Sequence, residues 1–385
     1  MYDVCVVGGG MVGGAVALGL ARSGLTVAVL EAHMPSAYNS AQPPDIRVSA
    51  IGLASVKLLE SLGAWQHIAT KRLCPLRHLA VWENSDARTQ FNAADADESV
   101  LGYIVENRII QLGLLDAVAQ HSNITLYQDA TPADIRLGQP NRVTLSSGEE
   151  ICARLLVGAD GARSRVRQAA GIGTHGWQYS QHAMGILVKT DGQQDITWQQ
   201  FHPCGPRAFL PMYDGYASLV WYDEPTTLKA LGSLSKGRLK EQIVQQFPAF
   251  ADDFDVLQHA AFPLTRMHAN DYVKAGVVLV GDAAHTINPL AGQGVNLGYR
   301  DVAALLDVVN GAIEKNDDIG SPDVLKAYQA KRRKDNLLMM SVMDAIYMTF
   351  SNDITPLKHL RNLGLKLADA AGPVKTQVMK YAMGI

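Results

Sequence analysis

An α/β architecture is predicted, in which a nucleotide-type domain assembled from separated stretches of chain surrounds an inserted antiparallel sheet and ends in a helical carboxy-terminal region. Three observations predict it. The apolar run DVCVV at 3–7 is followed at once by glycines 8, 9, 10, 13 and 14 and then by an apolar helix pattern. That is the form of a buried strand, a tight turn and a helix packed on a parallel sheet, so the domain is Rossmann-like. Buried-strand runs then recur far along the chain, as LLVGAD ending at Asp160 and VVLVG at 277–281. Between 175 and 270 the texture changes to short aromatic segments bounded by Gly, Pro or Asp, which favours antiparallel strands.

Taken in order, the strand at 3–7 leads through the helix AVALGLARSG, ending near Gly24, to a second buried strand at 26–30 that closes in Glu31. A helix is expected over 52–70. Residues 76–105 form a sheet excursion, with LRHLAVWE and GYIVE on either side of the acidic loop NAADADES. A helix from about 108 to 120, the strand NITLYQ and a hairpin turning at Ser146–Glu149 return the chain to the parallel sheet. The segments AMGILVK, ITWQQFH, RAFLPMY and YASLVWYD make the inserted sheet, interrupted by one amphipathic helix, LSKGRLKEQIVQQFP. After residue 291 a helix runs through Asn310. The nucleotide-type domain thus comprises 1–75, 106–174 and 271–330, the sheet domain 175–270, and a helical region 331–385. No internal repeat is evident.

With 385 residues the chain has material for two or three such units. Apolar residues make up 48% and charged residues 18%, with 34 Lys and Arg against 37 Asp and Glu. That balance supports a large core and excludes wholesale disorder and a nucleic-acid binder held by bulk positive charge. Cysteines at 5, 74, 152 and 204 have no metal-ligand spacing and are too sparse for a disulfide scaffold, which points to a reducing, cytoplasmic compartment. The histidines are scattered, and no metal site emerges. Val4–Ala21 is an uncharged run of 18 residues, but six are glycine and no basic stretch precedes it, so it reads as strand, turn and helix rather than as an export or membrane segment.

Gly8-x-Gly10-x-x-Gly13 stands where a strand gives way to a helix. Gly8 permits the tight turn, Gly10 admits a pyrophosphate close to the backbone, Gly13 permits close helix–strand packing, and the helix amino terminus offers N–H groups to phosphate. Glu31, at the end of the second strand, is placed to accept hydrogen bonds from an adenosine ribose and disfavours a 2′-phosphate. FAD or NAD is therefore expected rather than NADP as the bound dinucleotide. Two distant pieces favour FAD: Gly158-Ala-Asp160-Gly161-Ala-Arg163-Ser164-x-Val-Arg167, and Gly281-Asp282-Ala-Ala-His285 continued by Asn288-Pro289-Leu290-Ala-Gly292-Gln293-Gly294-Val-Asn296. Each ends a buried strand in small residues and delivers an aspartate to the sheet edge. Asp282 suits a sugar-like hydroxyl chain, and a helix opening after Gly292 suits the negative charge of a reduced flavin.

Residues 2–31, 158–167 and 281–301 together resemble the three fingerprints of the single-component flavoprotein aromatic hydroxylases, the para-hydroxybenzoate hydroxylase family. Further pieces, such as WQQF, GPRAFLP, SLVWYD, FPLTR and GDAAHTINPLAGQGVNLGYRD, resemble its ubiquinone-biosynthesis branch across almost the full chain. The resemblance implies an FAD-dependent monooxygenase that uses NADPH or NADH and O2 to hydroxylate a polyprenyl benzoquinol, the 3-methyl-6-methoxy compound, through a flavin C4a-hydroperoxide. Gly8, Gly10, Gly13 and Glu31 would then hold the ADP half of FAD. Arg47 would stand between that half and the flavin chain, and Arg108 near the cofactor. Asp160 would serve both FAD and the reduced nicotinamide, and Asp282 the ribityl chain. Pro289, Leu290, Gly292, Gln293 and Gly294 would border the isoalloxazine ring. Arg163 and Arg167 either join this set or buttress the aspartate loop.

The single glycine-rich fingerprint and the absence of a paired redox cysteine motif argue for transient nicotinamide docking. His285 has the position of an acid–base group, but a supporting hydrogen bond suits it better. Of the sheet's aromatic and proline residues, which include Trp198 and Phe201, the pocket candidates are Phe209, Pro211, Tyr213, Trp221 and Tyr222, since a quinol needs an apolar enclosure. Only a subset can face the ligand, because side chains alternate along a strand. Residues 331–385 carry a net charge of +5 and six of the twelve methionines. They cap the core, or lie against an anionic membrane surface or a partner. The resemblance adds a cytoplasmic enzyme at the inner-membrane surface within a multiprotein assembly. Hydroxylation of another precursor or phenol, flavin-dependent reduction of isoprenoid double bonds, and a non-enzymatic dinucleotide sensor are the competing readings.

Overall fold

The computed structural model describes residues 1–247, 253–288, 292, 294–370, 372, 375–377 and 379–380. β1 (Tyr2–Val7) turns through glycines into α1 (Met11–Arg22) and β2 (Val27–Leu30). After β3 (Val48–Gly52), the single helix expected over 52–70 is two, α2 (Leu53–Ser61) and α3 (Trp65–Ala69), broken at Gly63. β4 (Cys74–Leu76), β5 (His78–Trp82), β6 (Thr89–Asn92) and β7 (Gly102–Glu106) precede α4 (Asn107–Val118) and β8 (Ile124–Tyr127). β9 (Pro132–Arg136), β10 (Asn141–Leu145), β11 (Glu150–Gly158) and the short α5 (Arg165–Ala169) complete this stretch.

The inserted unit contains β12 (Thr174–Thr190), β13 (Ile196–Gln200), β14 (Arg207–Pro211), β15 (Tyr216–Asp223), α6 (Pro225–Gly232), α7 (Lys236–Gln246) and β16 (Phe254–Ala269). The chain then returns through β17 (Val273–Lys274), β18 (Val277–Leu279) and β19 (His285–Thr286) to three long helices, α8 (Gly294–Glu314), α9 (Pro322–Phe350) and α10 (Thr355–Ala370).

One eight-stranded sheet follows the order β17-β18-β11-β1-β2-β8, with β10 and β9 joined through β11. Its centre, from β18 to β8, is parallel. The Val, Ala and Leu side chains of β1 and β2 are buried, as strands covered on both faces by helices require. Val7, Gly158 and Leu279 stand level across β1, β11 and β18, so three distant stretches of sequence end at one sheet edge.

The second eight-stranded sheet runs β19-β16-β12-β15-β14-β13-β5-β6 and is antiparallel except where β5 lies beside β13. The excursion at 76–105 is therefore divided. β5 and β6 extend this sheet, whereas β7 pairs with β3 and β4 in a three-stranded sheet of its own. On the outer face, Trp198, Phe209 and Trp221 pack with Leu228, Leu239 and Phe247 of the α6–α7 region. α6 was not anticipated, although Pro225 at its first turn is a local start signal. On the inner face, Leu187 and Met212 share a cluster with the three-stranded sheet, and Tyr222 meets Ile287 and Met339, Met340 and Met343 of α9. Half of the tail's methionines, these three, are thus core, and Met379 is also buried. Of the readings open for the tail, these four take the first and cap the core.

Candidate active site

Beyond Val7 the backbone must turn at once. Gly8 has φ +103°, and a Cβ there would lie 2.4 Å from the Ala159 carbonyl oxygen. A Cβ on Gly13 would lie 1.8 Å from the Gly8 oxygen, so both positions exclude a side chain. Gly10 is different: a Cβ there would meet nothing within 4 Å, and the amino terminus of α1 has no capping side chain. Packing does not explain this glycine. Open space before unpaired helix N–H groups suits an anion that approaches the backbone closely.

At the end of β2, Glu31 Oε1 accepts from the His33 amide at 2.9 Å. Gln111 of α4 donates from Nε2 to the Gly9 oxygen at 3.2 Å and to Glu31 Oε2 at 3.4 Å, joining the turn to the acidic residue. Gln111 has no counterpart in the sequence expectations; its only signal is that it follows Arg108 by three residues on the same helical face. Arg108 Nε donates to Asp45 Oδ2 at 2.6 Å and Nη1 to the Ser36 and Ala37 oxygens, while its buried Nη2 has no partner.

Asp160 Oδ2 accepts from the Arg165 amide at 2.6 Å, and its buried Oδ1 is unpartnered. Arg167 is buried and donates to the Ala162 and Ala283 oxygens at 2.7 and 2.8 Å, so it braces the Asp160 loop against the Asp282 turn. Arg163 is exposed. Asp282 is exposed to water in the turn after β18. Crowding by protein raises its carboxyl above the ordinary value, and the charges of His285 and Arg47 oppose that rise. Arg47 and Asp282, 235 positions apart in the sequence, are thus brought within electrostatic reach.

Around Asp282 the support is dense. His285 is buried and its Nε2 lies 2.5 Å from Asp301 Oδ2, which also accepts from the Gly281 amide at 3.0 Å. Arg332 Nε and Asn336 Nδ2, both from α9, donate to Asp301 Oδ1 at 2.8 and 3.0 Å. Asn296 accepts from the Gly52 amide and Ser55 Oγ and donates to the Ala50 and Gly292 oxygens, fixing the loop before α8 to β3. Asn288 Oδ1 accepts from Tyr222 Oη at 3.3 Å, and its buried Nδ2 is unpartnered. Asp301 could have been flagged as a charged residue on the apolar stripe of α8, with Gly298, Val302, Leu305 and Val309. Pro289, Leu290 and Gln293 lie outside the described residues. Gly292 and Gly294 flank the start of α8, where Gly294 leaves open space.

An open glycine cradle, an accessible aspartate, and unpaired buried atoms on Arg108, Asp160 and Asn288 fit a long dinucleotide carrying phosphate, hydroxyl and ring acceptors. Among the described residues no group of His, Cys, Asp and Glu could hold a metal ion. The chain matches the family described as FAD binding domain over residues 1–340. It is 48% identical over 385 residues to the 3-demethoxyubiquinol 3-hydroxylase of Escherichia coli, covering 100% of this chain and 98% of that protein. It is 36% identical to the ubiquinone hydroxylase UbiL of Rhodospirillum rubrum, covering 99% and 89% respectively.

The chain belongs to the FAD-dependent aromatic hydroxylases.

This hydroxylase is an FAD-dependent monooxygenase, related to the ubiquinone-biosynthesis enzymes. Its fold is shared with the p-nitrophenol 4-monooxygenase PnpA of Pseudomonas putida, at a TM-score of 0.78 and 19% identity, covering 100% of this chain and 96% of that one. The parity of its strands corrects the pocket expected from sequence. Phe209 and Trp221 point to the outer face and are buried with the α6–α7 helices, and Pro211 pairs with Ala217 of that same face. Tyr213 sits in the turn after β14, where its hydroxyl accepts from Arg72 Nη1 at 2.5 Å. Tyr222 alone of the five candidates reaches the loop before α8, through Asn288. Leu210 and Val220 share its side of the sheet, since alternate residues lie on one face.

Proposed function

We propose that this hydroxylase adds one oxygen atom from O2 to the ring of 2-polyprenyl-3-methyl-6-methoxy-1,4-benzoquinol, drawing electrons from NADPH or NADH through FAD. Likeness along the whole length to the Escherichia coli enzyme carries the substrate assignment. The inner sheet face supports it, because Leu187, Leu210, Met212, Val220 and Tyr222 lie on it, and Val220 and Tyr222 meet Ile287 just before the flavin loop. When bound, FAD supplies hydride acceptance from the nicotinamide and transfer of an O2-derived oxygen atom.

The chain's own residues bind, orient and exclude water. Gly8, Gly10 and Gly13 let the pyrophosphate approach the amino terminus of α1, and Glu31, held by Gln111, accepts from the adenosine ribose. Arg108 and Arg47 neutralise the chain between the two halves, and Asp160 and Asp282 accept from its hydroxyls. Gly292 and Gly294, at the start of α8, would border the ring, where the first N–H groups of that helix favour negative charge. His285 keeps the Asp282 turn in place through Asp301. The apolar inner face keeps water from the reacting centre. No helix among the described residues is long and apolar enough to cross a membrane. We place the enzyme in the cytoplasm, peripheral to the inner membrane and working with other ubiquinone-biosynthesis proteins.

The test is turnover with NADPH or NADH, labelled O2 and a panel of demethyl, methyl and methoxy polyprenyl quinols, read by mass. One labelled oxygen on the methyl-methoxy quinol is expected. Oxygen drawn from water, or an oxygen-independent reduction, overturns the reading.

A further inference from the structure

One run of buried polar side chains reaches the loop before α8 from the far side of the sheet domain. Arg266 of β16 donates from Nε to Asp344 Oδ2 of α9 at 2.6 Å, and the Tyr179 hydroxyl of β12 donates to Asp344 Oδ1. The Tyr222 hydroxyl of β15 donates to Asn288 Oδ1 at 3.3 Å. All five residues are buried, and the two tyrosines share an apolar cluster with Leu264, Ile287, Leu297 and Met343. Asn288 joins the two halves. Burial and the Asp344 carboxylate push the Tyr179 phenol up, and Asn288 and Arg266 oppose that rise. The amide thus stands beside the Tyr179 oxygen, although its Nδ2 completes no hydrogen bond among the described residues.

A pin between α9 and the sheet would need only Arg266 and Asp344, covered by the Trp177 ring 4.4 Å from the guanidinium. Asn288 needs another reason, because a buried N–H without a partner costs about 1–3 kcal/mol that an apolar residue would avoid. The direction of the hydrogen bonds gives one. Paired with a guanidinium, the Asp344 carboxylate only accepts, and it takes the Tyr179 proton at its other oxygen. The Tyr179 oxygen is then left as an acceptor, which turns the NH2 end of Asn288 toward it. Tyr222 could not make that choice alone, since a hydroxyl both donates and accepts. Tyr347 meets the Tyr179 ring edge-on, with centroids 4.8 Å apart, and keeps it in place. Nδ2 carries two hydrogens, so one donor remains for a ligand at the loop.

We propose that Asp344 and Tyr179 are positioning residues that fix the Asn288 amide so that it donates to an acceptor of the flavin ring. Reduced flavin carries negative charge on its ring, and a donor held in place before reduction stabilises that charge without rearrangement. The inference rests on FAD occupancy and not on which quinol is hydroxylated.

The test measures the flavin reduction potential of the FAD-loaded full chain from its absorbance, against reference dyes under argon, and uses no quinol. Asn288→Ala should weaken reduced FAD about tenfold more than oxidised FAD, a fall of about 30 mV for a two-electron couple. Tyr179→Phe keeps the ring and its packing and should lower the potential by a similar amount. The double variant Tyr179→Phe/Asn288→Ala should fall no further than Asn288→Ala alone, because both changes remove one device. Asp344→Asn should match them; if it melts early because Arg266 loses its partner, the Tyr179 variants decide. An unchanged potential in Asn288→Ala or Tyr179→Phe overturns the proposal, even where the melting temperature drops, and so do losses that add in the double variant. If the potentials shift as expected but no quinol of any chain length is hydroxylated, the positioning role stands and the substrate reading falls.

Discussion

His285 Nε2 stands 2.5 Å from Asp301 Oδ2, and the same oxygen accepts the Gly281 amide beside Asp282. Burial alone would raise the Asp301 carboxyl, but the charge and hydrogen bond of His285, together with Arg332, hold it below its ordinary value. Replacing Asp301 by Asn leaves the buried Arg332 with only the exposed Asp335 as a countercharge, at 3.3 Å, and should cost about 3 kcal/mol in urea unfolding. His285→Gln should weaken FAD retention yet keep kcat within about tenfold at saturating FAD, because a group that moves the reacting proton contributes ~100-fold or more. A larger loss of kcat would make His285 catalytic.

Asp282→Ala should raise the Kd for FAD by about 10- to 100-fold, the worth of a hydrogen bond to a charged group. Asp160→Ala should act in the same direction. Fluorescence titration of the apoprotein reads both, and unchanged affinity in the Asp282 variant would remove it from the ribityl chain.

The two glycines of the turn should fail differently. Gly13→Ala forces a Cβ against the Gly8 carbonyl and should lower thermal stability even without cofactor. Gly10→Ala meets no protein atom within 4 Å, so the apoprotein should melt as the wild type does while FAD binding is lost. A Gly10→Ala protein that retains FAD would show that the cradle admits a side chain beside the phosphates.

Phe209→Ala should destabilise by about 3–5 kcal/mol, through a cavity beneath α7, while leaving the KM for quinol unchanged. Tyr222→Phe removes only the bond to Asn288 and should cost ~1 kcal/mol. It should, however, raise the share of nicotinamide oxidised without product, because it loosens the loop opposite the substrate face. Product and nicotinamide measured together separate the two outcomes.

Burial pushes the His268 and His202 imidazoles down from 6.5 to about 4, reinforced by Arg333 in the first case and Arg207 in the second. Between those values the unfolded chain takes up protons that the folded chain refuses, so stability should fall as pH drops from about 6.5 toward 4 and stay level above that window. His268→Gln and His202→Gln should each flatten this slope in chemical denaturation at pH 7.5 and 5. An unchanged slope in both variants would assign the acid sensitivity to other groups.

The cofactor crevice was legible because its signals are local. Gly8 and Gly13 are required by backbone geometry within one turn, and Asp160 and Asp282 follow their buried strands by two and three residues. Their convergence followed from the general rule for where parallel strands deliver ligand groups. The sheet face was not legible. Alternation shows that Trp221 and Tyr222 point oppositely, but which of them meets the flavin loop depends on where α6 and α7 pack, and α6 itself went unread.

Residue type and spacing along the chain alone determined the dinucleotide turn, the acidic ends of the strands and the amphipathic pattern of α10, because each is a property of neighbours a few bonds apart. Only the tertiary structure decided that β5 joins β13, that Asp301 is answered from α9 by Arg332, and that the leucines of α10 face outward. Arg361 lies 278 residues from Glu83, so no local pattern could reveal their pairing. The direction of a helix face is set by whichever surface it meets, and here a buried carboxylate on the sheet domain drew the polar side of α10 inward.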